Sequence, residues 1–265
     1  KYGLDCFALV DKLLRKLGAQ TAADGDVPVT ATADYDWGDG ILIDSIQPGD
    51  ILQFLGLNDI SESIFVAAKR YQHVPNLVFV KGDIANTPFQ NGAFDLVSCD
   101  QVLHHTEDPP ATVREFARIL GREGVLNTYV YSKKALPREL LDEHFREASK
   151  AFSNDEIWEL SDQLTQLGKT LSELDIQIDV PDMPALGIKG GRQDLQRFIY
   201  WNFVKCFWNP EHGYEASKMI NFDWYSPSNA YRYSRDEFVS MLAKEGFKPE
   251  FLHSEEACHT GRFTR

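Results

Sequence analysis

Acidic and amide side chains recur just after three apolar runs, and a pair of histidines follows the last of them. Asp59 closes the first run, Asp83 the second, and Asp100 with Gln101 the third, ahead of Val102-Leu103-His104-His105. A carboxylate at the end of a strand can accept hydrogen bonds from two neighbouring hydroxyls or from an exocyclic amine. Acids on three successive strand ends therefore describe a nucleoside site. Asp59, with Ile60 beside it, is placed to take ribose hydroxyls, and Asp83 to hold an adenine amino group, with Ile84 against the ring. A single Asp after a strand is more often a turn residue or a helix cap; three in order shift the reading toward a ligand. His104 and His105 are the nearest groups able to move a proton near neutral pH, against the plainer alternative that one of them packs the loop before Asp108.

These residues need a scaffold, and the apolar periodicity supplies one. Ser61 to Tyr71 reads as a capped helix, Leu77–Val80 as a short strand covered on both faces, and Phe94–Cys99 as a second. Asp108 caps a helix with Pro109 at its first position, Val113, Phe116, Ala117 and Leu120 facing inward, and Gly121 at its end. Gly124 to Val130 gives a third strand. Alternation of this kind predicts an α/β fold, a doubly wound and mostly parallel sheet that binds ligands at the carboxyl ends of its strands. Near the end of the chain, Ser234-Arg235-Asp236-Glu237 forms a capping box. Phe247–Leu252 and His259–Thr264 then suit an antiparallel pair. The expected division is a sheet domain over 1–133 and 221–265, with an inserted helical cap over 134–220. In that cap Pro137 begins one helix, and Ser153 caps another with Ile157, Leu160, Leu164 and Leu167 inward. The run from Phe198 to Trp208 is the most aromatic in the chain. Upstream, Cys6 to Leu17 reads as an amphipathic helix.

Taken together, Gly82-Asp83 with Pro88-Phe89, then Phe94-Asp95-Leu96-Val97, then Val102-Leu103-His104-His105 form an ordered set. Residues 48 to 131 resemble the Rossmann-like class I S-adenosylmethionine-dependent methyltransferases, in particular the methyltransferase type 11-like group. One turn departs from that group: Gly121-Arg122-Glu123-Gly124 replaces its usual proline and glycines. The resemblance implies S-adenosylmethionine as cofactor and transfer of its sulfonium methyl by in-line displacement. It implies Asp59, Ile60, Asp83, Ile84, Asp100 and Gln101 as cofactor contacts, the last pair nearest the sulfonium. Tyr131, Arg192 and Tyr225 are the expected substrate contacts, and the amino-terminal helix is expected to close over the cofactor.

The same resemblance exposes a gap. A strand, a crossover helix and a second strand need about 30 residues, yet Gly49 to Asp59 offers one strand and one glycine, with no glycine-rich turn. Three accounts stay open. The sequence lacks a segment between Phe54 and Asn58; the loop has been deleted; or Gly38, Gly40 and Ile41-Leu42-Ile43 rebuild the site. The first is expected, because every later motif is intact. The second would leave a noncatalytic binding protein on the same fold. A nicotinamide-dependent oxidoreductase is disfavoured, since no GxGxxG turn is present.

Composition bounds the partners. With 27 Lys plus Arg against 40 Asp plus Glu, the net charge of −13 opposes nucleic-acid and anionic membrane surfaces. A small-molecule acceptor is the expected partner. Asp34-Tyr35-Asp36-Trp37-Gly38-Asp39-Gly40 lacks the distal Glu and the glycine register of a calcium loop, so no metal is expected. Cys6, Cys99, Cys206 and Cys258 are dispersed without a paired spacing, which favours reduced thiols and a cytoplasmic setting. No apolar run approaches membrane-spanning length.

Overall fold

The computed structural model describes residues 79–265, the backbone of the strand Ile51–Gln53, and the isolated residues Lys69 and Gln72. The amino-terminal helix, the helix from Ser61, Asp59, Ile60 and the segment between Phe54 and Asn58 lie outside the described residues. Among those described, residues up to Tyr131 and from Tyr233 to Arg265 form one compact unit, and Ser132–Arg232 forms another.

The first unit is built on a sheet. Its strands β1 (Ile51–Gln53), β2 (Phe94–Cys99) and β3 (Leu120–Ser132) run parallel, with Leu52 level with Val97 and Cys99 level with Thr128. The expectation of a mixed α/β sheet with a parallel centre and an antiparallel pair at its end is met. Numbering on along the chain, the last two strands, β7 (Lys248–Ser254) and β8 (Cys258–Thr264), pair antiparallel, and β8 joins β3 antiparallel, giving the path β1-β2-β3-β8-β7. Two helices cover the sheet, α1 (Pro109–Ile119) and, later in the chain, α6 (Arg235–Lys244). Asp108 accepts from the backbone N–H of Ala111, and Ser234 and Glu237 make the reciprocal capping box, as the sequence predicts. Val113, Phe116, Leu126, Phe238, Leu242 and Phe263 are fully buried in one core.

Two expectations are corrected here. Phe79 and Val80 lie outside any strand, although they belong to a predicted one. Gly121 does not end α1: Leu120 is the last cap residue and opens β3 directly, so Gly121-Arg122-Glu123-Gly124 lies within the strand. Its glycines accommodate a register shift between Phe94 and Leu96 on β2.

Glu115 ties the segment after Asp83 to α1. Its carboxylate accepts from the Thr87 N–H at 2.8 Å, from the Thr87 hydroxyl at 2.5 Å and from Arg118 Nε at 2.8 Å. Burial alone would raise this carboxyl, but the hydrogen bonds from Arg118 and Thr87 outweigh it and hold it below the ordinary value. Glu115→Ala is expected to cost about 1–3 kcal/mol in urea unfolding, since Arg118 and Thr87 lose their common acceptor. A cost below the error of that measurement would refute this role.

The second unit contains α2 (Leu136–Ser149), α3 (Asn154–Glu173), α4 (Leu195–Asn202) and α5 (Gly213–Tyr225), together with a small hairpin of β4 (Gln177–Val180) and β5 (Gly191–Asp194). The two-residue strand β6 (Arg232–Tyr233) follows α5. The hairpin was not foreseen, and the aromatic run from Phe198 is helical only as far as Asn202. On α3 the buried stripe is Ile157, Ser161, Leu164, Thr165 and Gly168, while Leu167 turns outward, 41% exposed. Close approach explains the small residues. A Cβ on Gly168 would collide with the Cys206 carbonyl, and Thr165 Oγ1 accepts from Asn221 of α5 at 2.8 Å.

What centres this unit is charge. Arg138 and Asp142, one helical turn apart on α2 and both essentially inaccessible, pair at 2.7 Å. Tyr225 donates to the other Asp142 oxygen at 3.2 Å, Arg138 also donates to the Tyr200 carbonyl, and Lys205 Nζ donates to the Tyr200 hydroxyl at 3.1 Å. Cations lie over rings: Arg138 over Trp224 at 5.1 Å, and Lys205 over Trp224 at 4.8 Å.

Candidate functional site

The carboxyl ends of β2 and β3 gather the chemistry of the first unit. Because Cys99 is level with Thr128 in the parallel register, Asp100 stands level with Tyr129, at the end of β2. Directly beyond it Gln101 adopts a left-handed backbone, φ 58°, a conformation that costs a non-glycine residue energy and recurs at functional turns. The chain then enters a single 3-10 turn, Leu103–His105, in which both histidines are buried.

Four rings converge there. The His104 ring packs tilted against Tyr131, centroids 3.9 Å apart, and against His105 at 4.1 Å, and it lies 5.8 Å from Tyr129; Tyr129 and Tyr131 are 6.1 Å apart. The two tyrosines are alternate residues of β3, so they share a face, and both are half-buried, outside the apolar core. Tyr131 is level with Cys258 on β8, and Tyr129 with Thr260. Burial, then the nearby Cys258, Tyr131 and Asp100, pushes the Tyr129 phenol well above its ordinary range. Burial raises the Asp100 carboxyl to about 6. No described residue gives Asp100 a salt bridge.

The structure thus brings together Asp100, Gln101, His104, His105 and Tyr131 of the residues the sequence singled out. Tyr129 and Cys258 join them and were missed as site residues. The i, i+2 spacing of Tyr129 and Tyr131 on a predicted strand was the available signal. Asp83 is exposed, and its Oδ1 accepts from the Ala85 N–H at 2.8 Å in a local turn. Ile84 is 3% exposed and sits in the hydrophobic core. Of the two residues named in the second unit, Tyr225 is buried on Asp142, and Arg192 stands exposed on the hairpin, 3.7 Å from Asp179. Asp59 and Ile60 are outside the described residues. A wide cleft of about 530 Å³ opens at the other end of the strands, around Gly92, Arg114, Arg118 and Gly121. Of its arginines, Arg118 lies in the carboxyl-terminal turn of α1, where a cation is favoured without a ligand, and pairs with Glu115.

A parallel-centred sheet flanked by helices is a Rossmann-like arrangement, in which ligands bind at the carboxyl ends of the strands. Residues 37–128 match the family model described as methyltransferase domain. Over those residues the chain is similar to methyltransferase domains. Over 76 residues it is 32% identical to an uncharacterized methyltransferase, YcgJ, of Bacillus subtilis, a stretch that spans 28% of this chain and 30% of that relative. Over 85 residues it is 26% identical to the ubiquinone/menaquinone biosynthesis C-methyltransferase UbiE of Campylobacter jejuni, covering 32% of this chain and 35% of the relative. The matched stretches thus span about a third of these relatives. Among solved structures, an S-adenosylmethionine-dependent methyltransferase from Mesorhizobium loti aligns over 83% of this chain and 92% of its own, at 11% identity and a TM-score of 0.46. Among the described residues no helix is long and apolar enough to cross a membrane.

Proposed function

We propose that the protein transfers a methyl group from S-adenosylmethionine to a small organic acceptor, with positioning as the main source of rate. The observation that carries this reading is Asp100: a half-buried carboxyl at the end of a central parallel strand, with no basic partner among the described residues, beside the strained Gln101. Such a group suits a cationic ligand, and the family's donor is a sulfonium. The donor supplies an electrophilic methyl group; the chain's own residues bind, orient and exclude water. Asp100 and Gln101 would face the sulfonium side, with Asp83 and Asp59 on the adenosine side and Ile84 packed behind Asp83. Alignment of this kind lowers a barrier by roughly 7–11 kcal/mol without a dedicated acid or base. Where the acceptor must lose a proton, His104 or His105 is the nearest base, worth about 10²–10⁴-fold. Tyr131 is the proposed substrate contact; Tyr225, buried on Asp142, and Arg192, exposed on the hairpin beside Asp179, are not part of it. A cytoplasmic setting, supported by the dispersed cysteines, and a partner other than nucleic acid, supported by the net charge of −13, remain part of the proposal.

Calorimetric titration of the full chain with S-adenosylhomocysteine and S-adenosylmethionine tests this. Both are expected to bind below millimolar concentration, and Asp100→Asn is expected to weaken the cationic ligand more than its neutral product. Absence of binding by either at millimolar concentration would sink the enzyme reading and favour a noncatalytic role.

A further inference from the structure

We propose that Arg118 is a positioning residue for base recognition: it clamps the segment after Asp83 onto α1 and so fixes the Asp83 turn that selects adenine over hypoxanthine. This rests on the methyltransferase reading, in which Asp83 stands on the adenosine side. It assigns the specificity of that side to a residue that acts only through another.

The segment from Asp83 to Gly92 has no helix or strand of its own. Its backbone groups must find partners elsewhere, and its shape comes from the points at which it is anchored. Two anchors are apolar: Ile84 and Phe89 are buried in the core, with Phe89 edge-on to Phe94 at a centroid distance of 5.0 Å. The polar anchors converge on one guanidinium. Arg118 Nη1 donates to the Phe89 carbonyl at 2.7 Å and to Asn91 Oδ1 at 2.8 Å. Its Nη2 donates to the Thr87 carbonyl at 3.2 Å and to Glu115 Oε1 at 2.7 Å, and its Nε to Glu115 Oε2 at 2.8 Å. A guanidinium carries five N–H donors in a planar fork, and here every one is used. From the backbone side, the Gly92 N–H donates to the Arg118 carbonyl at 2.9 Å.

The turn itself lies just upstream. The Asp83 carboxylate and carbonyl accept from the N–H groups of Ala85 and Asn86, so the direction of the carboxylate follows the path of the chain into Thr87. Ile84 and Thr87 bracket this turn, the first held by packing and the second by Arg118 and Glu115. Packing is non-directional, whereas the charged hydrogen bonds fix orientation. A carboxylate has about four acceptor sites, which leaves Asp83 capacity for an exocyclic amine. In the chain, α1 follows the turn that carries Asp100 and Gln101. Both ends of the proposed cofactor site are thereby referred to one helix.

The full chain is titrated calorimetrically with S-adenosylhomocysteine and with S-inosylhomocysteine, whose base carries an oxygen acceptor in place of the amino group of adenine. The unaltered protein is expected to prefer the adenosyl ligand by on the order of tenfold. Arg118→Met and Asp83→Ala should each bring that preference close to one, and the double variant should lose no more than either alone. Phe116→Leu loosens the core face of the same helix without touching the clamp, so it should lower the urea midpoint and keep the preference. If circular dichroism shows Arg118→Met unfolded, Thr87→Val decides, since it keeps the side-chain shape and removes only the hydroxyl bonded to Glu115. A smaller fall in preference is expected there, and an unchanged preference overturns the proposal. A preference that survives in folded Arg118→Met also overturns it, as does one lost equally in Phe116→Leu. An unaltered protein that binds both ligands equally overturns it while leaving the methyltransferase reading intact. If S-adenosylhomocysteine itself fails to bind, that reading fails and the proposal falls with it.

Discussion

Asp142→Ala is expected to lower the unfolding free energy of the second unit by about 3–5 kcal/mol, because it strands a buried guanidinium beside a buried ammonium. The Arg138–Asp142 pair is 1% and 0% exposed, and Asp142 also accepts from Tyr225. No other carboxylate among the described residues is recorded in contact with Arg138. Removing Asp142 leaves Arg138 and Lys205 against the faces of Tyr200 and Trp224, which attract cations but do not neutralise them. Urea unfolding followed by tryptophan fluorescence reads this unit well, since Trp158, Trp201, Trp208 and Trp224 all lie in it. The double change Arg138→Met with Asp142→Leu should recover a part of the loss, since the desolvation of both charges disappears with them. If Asp142→Ala costs less than about 1 kcal/mol, the pair is not what organises this core.

The second unit should also become more stable from pH 7 to pH 9, opposite to the usual direction for an acidic protein. Burial, then the positive charge of Arg138 and Lys205, lowers the Lys134 ammonium from 10.5 to about 7. In that window the unfolded chain keeps a proton on Lys134 that the folded chain has lost, so raising the pH favours folding. Each pH unit is worth at most about 1.4 kcal/mol for one group, or about 2 kcal/mol across the window. Tyr200 acts in the same sense: burial would raise its phenol, but Lys205 and Arg138 bring it below its ordinary value. Cys206, raised to about 11 by burial, opposes them only above its unfolded value near 9. Lys134→Met should remove most of the rise. Urea unfolding of both proteins between pH 7 and 9 decides the matter; a flat or falling profile for the unaltered chain would show that Lys134 stays charged.

The elements legible in the sequence are those whose signal is local. Phe94–Cys99 is one continuous apolar run, and Asp108, Ser153 and Ser234 each satisfy backbone N–H groups within three residues, so caps and strand could be read without the rest of the chain. The C-terminal strand pair follows the same logic. Elements fixed by distant partners were misread. Leu167 fits the inward period of α3, yet Ser161, Thr165 and Gly168 take that face, because a loop carbonyl and Asn221 come too close for leucine. The hairpin of β4 and β5 has a weak alternation, with only Val180 well buried. Charged residues are exposed by default, so nothing local in the sequence marks Arg138 and Asp142, and only packing shows that they form a core. At the candidate site, Asp100, Gln101, His104 and His105 were visible as a motif. Tyr129 was hidden as an ordinary strand residue, because its role depends on the register of β3 with β2. The adenosine-facing acids before Asp83 and the missing glycine turn lie outside what the structure describes.

The path of the chain through its two units sets an order of assembly during synthesis. β3 leaves the first unit after Tyr131, and the chain returns to it only at Tyr233, after the whole of the second unit has been made. β8, which pairs along β3 from Val125 to Tyr131, emerges only after the whole of the second unit. Until then β3 presents an open hydrogen-bonding edge, the surface most prone to pair with another nascent chain. The ring cluster of Tyr129 and Tyr131 is on that same strand, so that end of the sheet is completed only after the second unit has been made.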